Sequence, residues 1–440
     1  MTSHIDETHD PALRSWVESA QSAGNDFPVQ NLPHGVFRRA GSGEPWRGGI
    51  AIGDQVLDLQ AALAKGLFSE SARTAAEAAA RAPLNDYMGL PRTQRQALRR
   101  ALSALLAEGH ALWQTTAECL VAQQHVEYAL PARVENFTDF YSSLSHATNV
   151  GRLFRPDNPI LPNYRWLPVG YTGRTSSLVV SGVAVRRPHG QLKSPDSDAP
   201  VFAPCRRLDY EAELGMLVGP GNELGSSIDI ALVDEHLFGV CLLNDWSARD
   251  IQSWEYQPLG PLLAKSFGTS LAPWVVTLEA LEPYRTAFGR PAGDPAPLTH
   301  LWHPSLAERG AFDIFVDVSL QSAAMRHAGQ APVRISRSNY TDAYWAPAQL
   351  LAHQASNGTN LCPGDLLGSG TLSGPDPSSR ACLLELSEGG KVPFTLPTGE
   401  TRTFLEDGDT VLMQGYCERA GWARIGFGEC RSTVLPAREA

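Results

Sequence analysis

The feature that most limits what this chain can fold into is a series of short β-favouring segments separated by glycine, proline and aspartate. In the 440 residues, 39 glycines and 32 prolines divide the apolar residues into brief runs. Such runs favour short strands joined by turns. The segments predicted as strands are 178–186, 208–218, 238–243, 274–278, 312–320 and 410–416. The predicted fold class is therefore mixed β-rich α+β.

The first part of the chain has a different pattern and predicts a smaller domain. Apolar runs broken by glycine between residues 27 and 59 suit a small antiparallel sheet or barrel. Alanine-rich residues 61–81 favour helices instead. Because strands dominate beyond Pro131, we predict one domain over residues 1–131 and a larger one over residues 132–440.

Two helix starts are predicted from capping patterns in the first domain. Asp10 followed by Pro11 is typical of an N-cap and a first helical position, and it predicts a short amphipathic helix at the start of the chain. Thr93 with Gln96 resembles a capping box that opens a second helix, for which Gly109 is the predicted stop.

Charge and hydropathy argue against two classes of partner. Lysine and arginine number 36 against 47 aspartates and glutamates, a net charge of −11, whereas nucleic-acid binders usually carry a basic excess. No apolar run approaches the roughly 18 residues of a membrane-spanning helix, and the N-terminus resembles neither a signal nor a transit peptide. We therefore predict a cytoplasmic protein without nucleic-acid or membrane partners. The seven cysteines, which form no C-x-x-C pair, are predicted to be reduced and mostly buried thiols.

The most informative chemical pattern is an alternation of apolar and acidic residues. On a strand, the period of two places Asp209, Glu211 and Glu213 on one face. If that face is buried, the carboxylates need protons or a hard cation such as Mg²⁺ or Ca²⁺. If it faces solvent, it is an ordinary charged face that pairs with Arg206 or Arg207. Both interpretations stay open on this stretch alone.

Two other segments carry polar side chains suited to chemistry. Asp245 ends an apolar run, and its position suggests a strand tip beside a cleft. Alternatively, Asn244 or Asp245 is the N-cap of a helix through Arg249 and Gln252. On such a helix the latter two residues share a face and can donate hydrogen bonds to one ligand. Residues 139–149 combine a carboxylate, a phenol and hydroxyls with His146, whose imidazole suits proton abstraction near neutral pH, although a purely structural histidine stays possible.

Two motif-like segments do not support their usual interpretations. His300 and His303 precede Pro304 and lack a helical context or a third ligand, so we predict no zinc site there. The glycine-rich residues 368–374 lack the Gly-Lys-Ser/Thr ending of a phosphate loop. We predict instead a tight backbone passage near a ligand, or a simple turn.

Taken in order, these segments resemble the fumarylacetoacetate hydrolase family. The matching segments are 31–37, 139–149, 167–174, 210–213, 244–250, 254–260, 265–269, 364–371 and 424–428. Because they extend over nearly the whole chain, the set is far more specific than any one motif. The resemblance implies a small N-terminal SH3-like barrel domain with helices, a larger C-terminal mixed β-roll domain that holds the active site, and a homodimer.

The resemblance also implies a reaction and a set of site residues. The reaction is metal-dependent hydrolysis of a carbon–carbon bond in 4-fumarylacetoacetate, a dicarboxylate diketone, which gives fumarate and acetoacetate in tyrosine and phenylalanine catabolism. The implied cofactor is Mg²⁺, Ca²⁺ or both. The positions that match metal-site residues are Asp139, Glu211, Glu213 and Asp245, with Lys265 and Thr269 near an additional Mg²⁺. The implied catalytic residues are His146 as general base and Glu385 as its orienting carboxylate. On chemical grounds, the side chains of Arg249, Gln252 and Lys265 are also predicted to donate to developing oxyanions. The implied substrate-binding residues are Tyr141, Arg155, Tyr171, Gln252, Tyr256 and Thr371.

Two alternative functions stay open at the level of sequence. One is a relative that acts on acylpyruvates or other oxo-acids with the same metal site, and the N-terminal domain together with Tyr141, Arg155 and Tyr256 argues against it. The other is a non-catalytic metal-binding scaffold, against which the presence of His146 and Glu385 argues.

Overall fold

The computed structural model describes residues 5–439, so residues 1–4 and 440 of the two predicted domains lie outside it. Its N-terminal domain contains a five-stranded antiparallel sheet of order β4-β3-β2-β1-β5 and five helices. The strands are β1 His34–Arg39, β2 Arg47–Ile52, β3 Gln55–Asp58, β4 Leu120–Ala122 and β5 Val126–Ala129. The helices are α1 Leu59–Ala64, α2 Glu70–Ala79, α3 Asn85–Met88, α4 Arg92–Leu106 and α5 Trp113–Ala117. The sheet and the alanine-rich helices α1 and α2 agree with the sequence prediction.

The prediction of an amphipathic helix after Asp10 is wrong, because no helix begins there. The Asp10 carboxylate accepts a hydrogen bond from Ala12 N at 2.8 Å, which closes a local turn that competes with a helix. The chain then pairs with the end of α4, where Trp16 Nε1 donates to Leu105 O at 2.9 Å. Only a short 3₁₀ turn, Glu18–Gln21, follows.

The helix predicted around Thr93 exists, but its caps are elsewhere. Pro91 occupies the N-cap of α4, so Thr93 lies inside the first turn and forms no capping box. The helix ends at Leu106 with Ala107 as its C-cap, and Gly109 follows in the left-handed region at a φ of 82°.

The C-terminal domain contains the remaining strands and helices. Its strands are β6 Phe137–Phe140, β7 Gly170–Thr172, β8 Leu178–Val180, β9 Val185–Arg186, β10 His189–Leu192, β11 Val201–Pro204, β12 Leu208–Asp209, β13 Ala212–Val218, β14 Leu237–Asp245, β15 Ser247–Ala248, β16 Thr269–Leu271, β17 Val276–Thr277, β18 Arg285–Thr286, β19 Ala311–Phe312, β20 Phe315–Gln321, β21 Val333–Asn339, β22 Leu366–Gly368, β23 Phe394–Thr395, β24 Thr401–Arg402, β25 Thr410–Cys417 and β26 Ile425–Leu435. Its helices are α6 Leu144–Phe154, α7 Val233–His236, α8 Arg249–Glu255, α9 Pro304–Arg309, α10 Ala323–His327, α11 Pro347–Ala355 and α12 Leu383–Leu386. Every segment predicted as a strand contains at least one, which confirms the β-rich α+β class.

Two large mixed sheets organise this domain. The eight-stranded sheet has the order β7-β6-β22-β13-β14-β16-β8, with β17 also paired to β14. The second sheet has the order β21-β20-β25-β26-β9. The central strand β14 is buried along its whole length, which explains its continuous apolar run.

One face of the eight-stranded sheet packs against the N-terminal domain. A single hydrophobic cluster joins Leu98 and Leu102 of α4 to Phe137, Leu243 and Leu271 of the sheet. Side chains alternate along a strand, so residues two positions from these share the same face. Asp139 on β6, Asp245 on β14 and Thr269 on β16 therefore continue this apolar face at one end of the sheet.

Two further properties follow from the same elements. Among residues 5–439, the structure contains no helix that is both long and apolar enough to cross a membrane. All seven cysteines are free, and all but Cys362 are buried, as the sequence predicted.

Candidate active site and metal centre

Four carboxylates meet at one end of the eight-stranded sheet. Asp139, Glu211, Glu213 and Asp245 each place one ligand oxygen within 4.8 Å of the others, and all four side chains are buried. Strand register brings them together, because β6, β22, β13 and β14 are successive neighbours in the sheet. The sequence motifs that contain these residues are far apart, so the fold creates this cluster.

The charges within the cluster are not balanced by protein groups alone. The Lys265 ammonium donates to Glu211 and to Asp245, the latter at 2.8 Å. Burial and the neighbouring carboxylates raise the pKa of Asp139 and the pKa of Glu213 well above their usual values. Buried oxygens on both, Asp139 Oδ1 and Glu213 Oε1, have no hydrogen-bond partner. This donor set suits a hard divalent cation, since such ions take carboxylate oxygens and would satisfy the orphaned ones.

The pKa of Glu211 is shifted in the opposite direction by Lys265 and Arg249. Burial alone would raise the pKa of Glu211, but the Lys265 ammonium and the Arg249 guanidinium outweigh burial and hold it far below its usual value. Arg249 Nη1 lies 2.7 Å from Glu211 Oε1. Glu211 therefore favours its ionised form, whereas burial and repulsion favour the protonated forms of Asp139 and Glu213.

Because glycine has no side chain, Gly368 leaves room for the carboxylates of the cluster. Gly368 on β22 lies between β6 and β13, and a Cβ placed on it would meet Asp139 Oδ1 at 2.6 Å and Glu213 Oε2 at 3.1 Å. Gly370, at a φ of 72°, donates its N–H to Glu213 Oε2 at 3.0 Å. The tight backbone passage predicted for residues 368–374 is confirmed, and it lies directly beside the acidic cluster.

A histidine–carboxylate pair stands next to the cluster. His146 Nδ1 donates to Glu385 Oε2 at 2.7 Å, and both side chains are buried. Burial would raise the pKa of Glu385, but His146, Ser373 and Asn149 lower it to about 2. The ionised Glu385 therefore fixes the proton on Nδ1 and leaves Nε2 free to accept. Nε2 faces the cluster, 3.9 Å from Glu211 Oε1.

The N-terminus of α6 holds this imidazole in place. Ser143 is the N-cap, and its Oγ accepts from His146 N at 3.0 Å. The Tyr141 ring packs edge-on against the imidazole at 5.2 Å between centroids. The backbone of residues 139–149 thus bends from strand β6 into α6 and brings Asp139 and His146 to the same cavity.

The cavity has a volume of about 330 Å³ and reaches from the acidic cluster to the surface. It suits a ligand of metabolite size. Three of its side chains carry buried donors without partners: Arg155 Nε, Arg249 Nη2 and Thr371 Oγ1. The predicted site residues that line it are Asp139, Tyr141, His146, Arg155, Tyr171, Glu211, Arg249, Gln252, Tyr256, Lys265 and Thr371.

The remaining predicted residues lie behind the wall of the cavity. Glu385 contacts His146 from the rear, and Glu213 and Asp245 form the deep side of the acidic cluster. Thr269 Oγ1 donates to Asp245 Oδ1 at 2.8 Å, and Tyr171 donates its hydroxyl to Asp245 Oδ2 at 2.8 Å. The structure therefore brings all the predicted site residues into one continuous assembly.

Comparison with known proteins gives the family. The model of the fumarylacetoacetate hydrolase C-terminal family matches residues 135–435, and that of the fumarylacetoacetase N-terminal family matches residues 30–131. The chain belongs to the fumarylacetoacetate hydrolase family. Fumarylacetoacetase from Bos taurus is 47% identical over 96% of this chain and 99% of the relative. The Homo sapiens fumarylacetoacetase is 47% identical over 94% of this chain and 97% of the relative.

A solved member of the family is a more distant match. The fumarylacetoacetate hydrolase from psychrophilic Exiguobacterium antarcticum aligns with a TM-score of 0.48 and 15% identity, over 92% of this chain and 100% of that chain.

The alternating acids do not form one strand face as the sequence predicted. Asp209 ends β12, which pairs with β15, whereas Glu213 lies on β13 in the eight-stranded sheet. The chain changes sheets between them, so Asp209 is not part of the acidic cluster. The solvent-exposed alternative is wrong for all three carboxylates, because each is buried.

The N-cap alternative for Asn244 or Asp245 is also wrong, since both lie within β14. Helix α8 begins at Arg249 after an Ala248 N-cap. The shared helix face predicted for Arg249 and Gln252 is confirmed, since Arg249 Nη1 lies 3.1 Å from Gln252 Oε1.

Sequence reasoning missed the residues that surround Glu385. Its carboxylate also accepts from Asn149 Nδ2 at 2.8 Å, Ser373 Oγ at 2.5 Å and Cys382 Sγ at 3.2 Å. Asn149 lies one helical turn after His146 on α6, and this spacing is the one signal by which sequence reasoning could have found a member of the set.

Asp209 is a second residue whose position sequence reasoning missed. Its oxygens accept from Leu383 N at 2.7 Å and Leu384 N at 2.9 Å at the start of α12, and from Arg249 Nε at 2.9 Å. One buried carboxylate thus ties Arg249 to the helix that carries Glu385.

His300 and His303 lie away from this site. Within the described chain, two groups of His, Cys, Asp and Glu side chains are close enough to share an ion, and neither group includes these histidines. His303 instead caps α9, where its Nδ1 accepts from Ser305 N at 3.3 Å.

Proposed function

We propose that this chain hydrolyses the carbon–carbon bond of 4-fumarylacetoacetate to fumarate and acetoacetate. The observation that carries the proposal is the position of His146 between two groups. Its Nδ1 lies 2.7 Å from Glu385 Oε2, and its Nε2 faces the acidic cluster. Full-length similarity to relatives named fumarylacetoacetase supports the substrate. A decayed metal-binding scaffold would not be expected to retain this pair beside four clustered carboxylates.

Asp139, Glu211, Glu213 and Asp245 would hold a divalent cation, which we propose is Mg²⁺ or Ca²⁺. Both are hard ions that prefer oxygen ligands, and the two orphaned carboxylate oxygens support such an occupant. When bound, the ion supplies Lewis-acid polarisation of the diketone oxygens and stabilisation of enolate charge. Lys265 and Thr269, which contact Asp245, would order the side of the cluster near an additional Mg²⁺.

In the proposed reaction His146 is the general base. Its Nε2 takes a proton from water, and the resulting hydroxide adds to the carbonyl carbon whose bond is cleaved. The carbon–carbon electron pair departs into the acetoacetate fragment, which takes the proton back from His146 Nε2, so that the imidazole is again neutral. Glu385 stabilises the imidazolium through the Nδ1 hydrogen bond and itself stays ionised. Base catalysis of this kind contributes about 10²–10⁴-fold in rate.

The cavity wall supplies anchors for a dianionic substrate. Arg155 and Arg249 carry unpartnered donors, and charge-assisted hydrogen bonds from guanidinium groups to carboxylates are among the strongest in proteins. Arg249 and Lys265 also lie beside Glu211, where they could donate to developing oxyanions. Additional substrate contacts are proposed for Tyr141, Tyr171, Gln252, Tyr256 and Thr371.

Further assignments complete the proposal. The domain boundary is placed near Pro131, which agrees with the separate family matches to residues 30–131 and 135–435. We propose that the five-stranded N-terminal sheet is the SH3-like barrel domain that the family resemblance implies. A homodimer is proposed from the family resemblance, and light scattering of the purified protein tests it. A cytoplasmic location is proposed from the sequence patterns alone.

The decisive experiment compares fumarate release from 4-fumarylacetoacetate with pyruvate release from an acylpyruvate. We expect preference for 4-fumarylacetoacetate and loss of turnover when a chelator removes the metal. His146→Ala should abolish turnover while metal binding and melting temperature stay close to wild type. His300→Ala, which changes an exposed histidine outside the site, is the matched control. Preference for the acylpyruvate, or near-normal turnover of His146→Ala, would overturn the proposal.

A further inference from the structure

Three arginines of α4 are buried between the two domains. Arg92, Arg95 and Arg99 follow one another at helical spacing, and their exposures are 3%, 1% and 6%. Arginine is seldom buried so completely unless it is paired with an anion. Their positive charges therefore need a counterpart in the interior.

The protein supplies less negative charge than this cluster requires. Within residues 5–439, Glu279 is the one carboxylate within ion-pair distance of Arg92 and Arg95, at 3.5 Å and 3.9 Å. Arg99 donates only to neutral oxygens, those of Thr8, Asn31 and Gln30. A guanidinium does not lose its proton in a protein, so three fixed positive charges share one nearby negative charge.

The charges beyond this group do not remove the excess. Arg309 adds a positive charge near Arg92, although it is paired with Glu282. The Asp6 carboxylate attracts Arg99 from a greater distance and is itself paired with Arg100 at 3.1 Å. An excess of positive charge therefore remains at the arginine cluster.

Several buried donors at this place have no acceptor in the described chain. All three guanidinium nitrogens of Arg92 lack a hydrogen-bond partner, as do Nε and Nη2 of Arg95. His34 Nε2 lies 3.3 Å from the Tyr87 hydroxyl, and His34 Nδ1 is unpartnered. Unpartnered donors of this kind are costly when buried, since each has lost its water without replacement.

A small enclosed cavity lies among these side chains. Its volume is about 10 Å³, and the polar residues that line it are His34, Tyr87, Arg95, Arg99, Thr277 and Glu279. That volume accommodates about one particle of the size of a water molecule. Polyatomic anions such as phosphate or sulfate are too large for it.

We propose that this cavity binds a single monatomic anion, chloride, as a structural ion between the N-terminal and C-terminal domains. Chloride accepts several hydrogen bonds, so it would serve the unpartnered nitrogens of the lining residues Arg95 and His34. Its negative charge would offset the excess positive charge of the arginine cluster, including Arg92, which lies outside the cavity wall. A water molecule fits the same volume, but it carries no charge. The site is separate from the acidic cluster of the catalytic cavity, and the proposal does not depend on the reaction that the chain catalyses.

Anomalous diffraction tests the site directly on the full-length protein. Crystals grown with bromide in place of chloride should give an anomalous peak inside the cavity, in contact with Arg95. A cavity that contains only water, with no bromide signal, would overturn the proposal.

Thermal melting tests the same site in solution. At constant ionic strength, replacing gluconate with chloride should raise the melting temperature by about 1.5 °C per tenfold increase in chloride above its dissociation constant. Gluconate is too large for the cavity and serves as the inert anion. An equal melting temperature in the two salts would also contradict the proposal.

Three variants separate a specific site from a general salt effect. Arg95→Gln removes one cationic donor and should abolish the chloride dependence, whereas Arg100→Gln, on the exposed side of the same helix, should retain it. Glu279→Gln removes the competing negative charge and should shift the chloride response to lower concentration. If Arg95→Gln does not fold, the direction of the Glu279→Gln shift decides, and a shift to higher concentration refutes the proposal.

Discussion

Replacement of Glu385 by glutamine tests how the imidazole of His146 is made a base. Glu385 Oε2 accepts from His146, Ser373 and Cys382, and Oε1 accepts from Asn149 alone. A glutamine can keep its oxygen toward the first three donors and place its amide toward Asn149, whose own amide can rotate to accept. Glu385→Gln therefore keeps the hydrogen-bond geometry and removes only the negative charge.

The size of the effect follows from the distance between the two groups. With Nδ1 and Oε2 at 2.7 Å, the centres of charge of an imidazolium and a carboxylate lie about 4 Å apart. At an effective dielectric constant of about 20, their attraction is about 4 kcal/mol. Loss of that attraction in the transition state lowers kcat by about 10³-fold.

Steady-state kinetics and metal binding provide the readouts. We expect kcat to fall while KM changes little, because Glu385 lies behind His146 and does not line the cavity. Metal affinity should stay near wild type. Asn149→Ala is the matched control, since it removes one donor to the same carboxylate but no charge. It should lower kcat by less than tenfold. If Glu385→Gln retains kcat within tenfold of wild type, the proposed role of the carboxylate charge is wrong.

Four further predictions concern the metal, the substrate and pH. Metal binding near neutral pH should release protons, because the pKa of Asp139 and the pKa of Glu213 are raised well above their usual values; calorimetry in buffers of different ionisation enthalpy measures this release, and a binding heat independent of buffer would contradict it. Gly368→Ala should weaken metal binding by about 10–100-fold because its Cβ would crowd Asp139 and Glu213, whereas Gly289→Ala, whose Cβ meets nothing within 4 Å, should not. Arg155→Gln should raise KM for 4-fumarylacetoacetate by about 10–100-fold with kcat nearly unchanged, since it removes a charge-assisted contact; a fall in kcat at constant KM would instead assign Arg155 to the chemical step. The pKa of Glu385 falls from 4.5 to about 2 on folding. Its ionised form therefore contributes about 3 kcal/mol to the free energy of unfolding above pH 4.5, and this contribution is lost as the pH falls toward 2. The difference in free energy of unfolding between wild type and Glu385→Gln, measured by urea unfolding at several pH values, should shrink over that range.

Sequence patterns predicted the elements of the site better than its assembly. Strand β14 follows directly from an apolar run, and the bend beside Gly368 follows from the cluster of glycines. The change of sheet between Asp209 and Glu213 was not predictable from alternation, because alternation continues through the break in pairing. Tertiary contacts, namely the backbone N–H groups of α12 and the Arg249 side chain, determine where Asp209 lies.

The errors at the N-terminus have a similar cause. The sequence around Asp10 carries a local helix signal, but Trp16 instead donates a hydrogen bond to Leu105 O of α4 and packs against Trp113. Local propensity is a weak prior that tertiary packing overrides. The carboxylate cluster joins three separate segments between Asp139 and Asp245, and the His146–Glu385 pair joins residues 239 positions apart. Their identification as one site from sequence therefore depended on family resemblance.

The hydrophobic cluster that joins α4 to Phe137, Leu243 and Leu271 restricts how the enzyme can be shortened. A fragment that starts after residue 131 would expose this apolar surface on the same side of the sheet as Asp139 and Asp245. Such a fragment would therefore aggregate or lose the order of its metal ligands, even though every one of those ligands lies within it. A minimal catalyst derived from this chain needs a redesigned surface at that position, and not only a later start codon.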